Sequence, residues 1–111
     1  MGILADTKKI LGVASDYTAF DLDITTHINS AFAVLMDLGI GPVDGYFIED
    51  NSNEWSEFVV RPSQLALVRT YLYLKVRLLF DPPTTSYLIE AMEKQVAEHE
   101  WRLCASEVGV T

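Results

Sequence analysis

The residues in this chain that could carry chemistry are two histidines, one cysteine and a few paired carboxylates. His27 and His99 have no Cys or carboxylate at ligand spacing, so no metal site is expected. His99 falls on an apolar helical stripe and reads as a hydrogen-bonded core histidine. His27 lies beside another such stripe and reads as a capping or hydrogen-bonding residue. Cys104 reads as a small buried filler near a helix end. A lone cysteine allows no intramolecular disulfide, which fits synthesis in a reducing cytoplasm. Asp21/Asp23 and Glu49/Asp50 are surface-type pairs and not an acid–base dyad. Ser, His and Asp all occur, but outside any nucleophile motif. Gly39-Ile40-Gly41 is no phosphate loop, because no lysine follows and Pro42 removes an amide donor. The expectation is a chain with no catalytic residue and no cofactor, not an enzyme.

Four helices account for the rest of the pattern, so the expected fold class is all-α, in one domain over residues 1–111. The first spans about 3–11 and stops at Gly12. The second spans about 21–38, with Asp21 as its N-cap and Asp23 favouring the positive end of the dipole. Its Ile24, Ile28, Ala31, Leu35 and Leu38 follow one stripe, and Gly39 ends it. The third spans about 63–80, opened by Pro62 and Ser63. The fourth spans about 84–106, capped by Thr84 or Thr85, with Asp81-Pro82 as the other possible start. Residues 43–61 form a loop excursion: Gly45 to Ile48 as a short extended piece, Asp50 to Asn53 as a turn. Glu54 to Phe58 reads as one helical turn in preference to the return arm of a hairpin.

The stretch "YLYLKVRLLFDPPTTSYLIEAMEKQVAEHEWRL", residues 71–103, contains the two longest helices. On a wheel of about 100° per residue, Arg69, Lys75 and Arg77 share no single polar face, and apolar residues fill the gaps. Such a helix is either plain core or has a core face and a second face for a partner. In the fourth helix, Leu88, Met92, Val96, His99 and Leu103 form one stripe, with Glu90/Lys94 and Glu98/Arg102 pairs on the solvated side. Trp101 lies roughly opposite that stripe. It either folds over its own chain or marks a contact surface. Between the helices, Asp81, Pro82 and Pro83 form a stiff structural corner: neither proline has an amide hydrogen, and each displaces its predecessor from helical geometry.

Net charge is −8, and it is unevenly spread. Residues 1–58 hold ten acidic side chains and two lysines, whereas residues 59–111 hold six of each sign. No Lys or Arg occurs between Lys9 and Arg61, which argues against gripping nucleic-acid phosphate. No signal peptide is expected at the start, and residues 65–80 are too short and too charged for a membrane span.

The order of "HINSAFAVLMDLGIGP", "WSEF" and "VRTYLYLKVRLLFDPPTTSYLIEAMEKQVAEHEWRL" resembles the head–tail connector (adaptor) proteins of long-tailed bacteriophages. The most specific part is "LKVRLLFDPP" followed by a charged helix ending in "EWRL". The resemblance implies a homo-oligomeric ring, dodecameric in the virion, that docks on the portal protein and carries the stopper and tail-completion proteins. DNA would pass through the channel without specific binding, and no membrane would be involved. It would be located at the virion's head–tail junction, after assembly in the bacterial cytoplasm. Candidate subunit or portal contacts are Trp101, Tyr73, Arg77, Trp55 and Phe58. Asp50, Glu54 and Glu57 are candidate channel-lining acids; the alternative is that they only keep the free subunit soluble or steer it to a basic portal surface. The alternatives are a small helical protein-binding regulatory module or, less so, a small all-α enzyme. The enzyme would need converging cations, and here they diverge.

Overall fold

The computed structural model describes residues 2–42, 44–50, 52–58 and 61–107. Its elements are α1 (Ile3–Leu11), α2 (Asp21–Asp37), α3 (Pro62–Phe80) and α4 (Ser86–Glu107), with a 3-10 turn at Trp55–Glu57. The described residues contain no strand, only an isolated antiparallel bridge between Gly2 and Glu54. The fold is all-helical, as the periodicity predicts.

α1 ends at Gly12, whose φ of 82° lets its N–H turn back to the carbonyls of Lys8 and Lys9. On α2, Ile24, Ile28, Ala31 and Leu35 are fully buried, and Phe32 joins them. Leu38 lies just past the helix and is only half-buried. Asp21 is not the N-cap. Phe20 holds that position without a side-chain bond, and Asp21 is the first helical residue. Its carboxylate is taken instead by the Lys8 ammonium at 2.7 Å. It still sits at the positive end of the dipole.

α3 is the central element, packed against α1, α2 and α4. Val68, Tyr71, Leu72, Leu74 and Val76 are buried around it, which explains why its sequence is apolar in several directions. Tyr71 donates its hydroxyl to Glu100 at 2.8 Å and so joins α3 to α4. Burial, reinforced by Glu100, holds the Tyr71 phenol above its usual pKa. α3 ends at Asp81, with φ −146° and its N–H still on the Arg77 carbonyl, and α4 begins only at Ser86. The Thr85 hydroxyl lies a long 3.4 Å from the Leu88 N–H, which favours Thr85 over Thr84 or Asp81-Pro82 as the start. The α4 stripe is covered along only part of its length. Val96 and Leu103 are buried and Met92 is half-buried, but Leu88 is 49% exposed.

Among its described residues, the excursion between α2 and α3 makes no strand pairing beyond the single bridge at Glu54. The Asn29 side chain accepts the Ile48 N–H at 2.7 Å and donates to the Ile48 carbonyl at 3.0 Å, satisfying the groups a neighbouring strand would have satisfied. The helical turn at Trp55–Glu57 is present and a hairpin arm is not. Asn51, within the expected turn, lies outside the described residues. At Gly41, φ is +101° and a Cβ would fall 2.5 Å from the Phe58 ring, so this turn has no room for a side chain.

Candidate interaction surface

Two of the aromatics expected at a partner surface are used inside the chain. Trp55 is 8% exposed: its indole N–H donates to Asp6 at 2.8 Å, and Arg69 lies over its ring at 5.5 Å. Phe58 is 4% exposed and stacks on Phe32 with centroids 4.4 Å apart. Both are therefore corrected from contact residues to core residues. Burying an aromatic removes a large apolar area from water, and here α1 and α2 supply the cover.

The other candidates reach the outside. Trp101 is 71% exposed, and Tyr87, at 78%, lies about 40° from it on the same face of α4, roughly 21 Å away at 1.5 Å per residue. Tyr73 and Arg77, one turn apart on α3, are half-buried, and the Arg77 guanidinium donates to the Tyr73 hydroxyl at 3.1 Å. That bond favours the charged form of Arg77 and raises its pKa. A buried Arg77 Nε has no hydrogen-bond partner within the chain.

Asp50, Glu54 and Glu57 are all exposed on the excursion. Asp50 accepts the Ser52 hydroxyl at 2.5 Å and the Ser52 N–H at 2.8 Å, and these bonds lower its pKa. Glu57 accepts Asn53 at 3.1 Å and the Tyr46 hydroxyl at 2.9 Å, and is likewise lowered. Burial, then Glu57, raises the pKa of Tyr46. Asp50 and Glu57 are thus held charged by these hydrogen bonds.

Several exposed residues went unnoticed in the sequence. Phe47 is 62% exposed and Leu22 78%. Tyr17 and Phe20 meet edge to face at 5.4 Å, Phe20 meets Phe80 at 5.2 Å, and Phe80 meets His27 at 6.5 Å. This aromatic chain borders a groove of about 600 Å³ at the corner end of α3. The loop that carries Tyr17 is fixed by Lys8, which is 1% exposed. Its ammonium donates to the carbonyls of Ser15 at 3.2 Å and Tyr17 at 2.8 Å while pairing with Asp21.

The groups that could do chemistry do not converge. His99 Nδ1 lies 2.8 Å from the Gln95 carbonyl on a partly exposed face, not in the core. Cys104 is half-buried. Among the described residues, no group of three or more His, Cys, Asp or Glu could hold a metal ion. No described helix is long and apolar enough to cross a membrane. Exposed aromatics and unevenly distributed charge are the features the chain offers to a partner. A family model described as "Phage connector protein" matches residues 3–109. No curated protein and no solved structure matches the chain.

Proposed function

The chain belongs to the phage connector protein family, a family of structural phage proteins, and on that premise we propose that it is an adaptor subunit of the head–tail junction. Copies of it form a ring under the portal, carry the stopper and tail-completion proteins, and extend the channel through which DNA leaves. The work is mechanical and uses neither catalysis nor a cofactor.

The observation that carries this proposal is a set of large apolar side chains left exposed in one small chain. Ile10, Phe47, Leu79, Tyr87 and Trp101 are each 47–78% exposed, and they come from different elements. Exposed aromatic side chains such as Phe47, Tyr87 and Trp101 are of the type that anchors contacts between proteins. A subunit that meets two neighbours through different patches, and further rings above and below, has a use for each. The segment 59–111, half of whose charges are positive, and the acidic segment 1–58 add charge that can set the register of such contacts.

Removing the gene from the phage that encodes it tests the assignment. The expected product is DNA-filled heads and free tails that fail to join, restored by the supplied protein. Normal yields of joined particles without it would refute the proposal.

A further inference from the structure

α3 carries Arg69, Lys75 and Arg77 and not one carboxylate along its length. On the side facing α1 it leaves a groove of about 340 Å³ lined by Ile10, Ala66, Arg69, Thr70 and Tyr73. Ile10 is 47% exposed there, and Ala66 and Thr70 are exposed. The Arg69 side chain is 45% exposed and lies 3.6 Å from Asp6, longer than a direct hydrogen bond, so a second carboxylate can still reach its fork. The groove is thus apolar in its floor and cationic at its rim.

The excursion has the opposite character. Phe47 stands 62% exposed, fixed in place because the next residue, Ile48, is buried and clamped by Asn29. Asp44, Glu49 and Asp50 surround it in sequence, all exposed, and no cation lies between Lys9 and Arg61 to neutralise them. This is an aromatic knob in an acidic collar. A phenyl ring fits a groove of that size, and the collar would meet the guanidinium rim.

We propose that the Phe47 knob of one copy inserts into the Ile10–Ala66–Tyr73 groove of the next, with Glu49 and Asp50 pairing with Arg69. The contact rests on the ring assignment above and names the two patches that meet. It also places Asp50 at a subunit junction instead of the channel wall. Each patch is distinct, so the contact is directional and can propagate from copy to copy until the ring closes. Rigid positioning of the knob by Asn29 reduces the ordering cost of docking.

Two surface variants test it: Phe47→Asp removes the knob, and Ala66→Asp places a carboxylate in the apolar floor. Both positions are exposed, so circular dichroism should report unchanged helix content. Particle size is read by mass photometry and sedimentation, alone and with portal rings. Each variant alone is expected to lose self-association by on the order of tenfold or more. An equimolar mixture is expected to form a two-subunit species and nothing larger, because only the Ala66→Asp copy offers a knob and only the Phe47→Asp copy offers a groove. If either folded variant assembles like the wild type, or the mixture shows no dimer, the contact is wrong while the ring stands. A wild-type chain that stays monomeric both alone and with portal rings overturns the ring and the contact together.

Discussion

Replacing Lys8 by methionine keeps the length of a buried stem and deletes its charge. The ammonium is 1% exposed and is shared by the Ser15 carbonyl, the Tyr17 carbonyl and the Asp21 carboxylate at 3.2, 2.8 and 2.7 Å. Its loss strands two carbonyls and one carboxylate at the α1–α2 junction. Breaking a fully buried pair costs about 3–5 kcal/mol. The Asp21 side chain is 29% exposed and can recruit water, which brings the expected cost down to about 2–4 kcal/mol. For a chain of this size that is a fall in melting temperature of roughly 10–15 °C. Thermal unfolding followed by circular dichroism measures it. A double-mutant cycle with Asp21→Asn separates the pair from simple loss of packing, with an expected coupling of about 1 kcal/mol or more. A melting temperature within a few degrees of wild type, or strictly additive effects, would refute the assigned role.

Three further outcomes are expected. Gly41→Ala forces a positive φ on a side chain that meets the Phe58 ring, and should cost about 1–3 kcal/mol in chemical denaturation; an unchanged midpoint would contradict the packing described. Tyr71 has its pKa raised by burial and Glu100, so the folded state retains a proton that the unfolded state releases above about pH 10. Stability should therefore be intact below that pH and fall as pH rises beyond it, by up to about 1.4 kcal/mol per pH unit for this group. Tyr71→Phe should flatten that slope, and an identical slope would remove Tyr71 as its source. Replacing Pro82 and Pro83 by alanine should cost about 1 kcal/mol through unfolded-state entropy and impair particle yield more than stability; normal yields would show that the corner is dispensable.

The helices were legible because each is a local pattern. Ile24, Ile28, Ala31 and Leu35 announce their buried face by spacing alone, and Gly12 announces the end of α1. Spacing also placed Trp101 off the α4 stripe, where it is indeed exposed. Periodicity reports which face of a helix is apolar, but not how much of it a neighbour covers. That is why Leu88, on the same stripe as Val96, is exposed. Trp55 and Phe58 were misread because their partners, Asp6 and Phe32, lie far away in sequence. Lys8 was invisible for another reason: its acceptors are nearby loop carbonyls, which leave no side-chain pattern, and a lysine on a short helix reads as solvated. The Phe47 knob was hidden in an excursion without period, and only the Asn29 clamp reveals that it is held outward.

Electron microscopy of the purified chain at high concentration, alone and mixed with portal rings of its own phage, tests the adaptor assignment most directly. The expected result is an added ring of density on the tail-facing side of the portal, coaxial with its channel and with one subunit seated per position. Portal rings that stay bare, with the chain monomeric beside them, would contradict it.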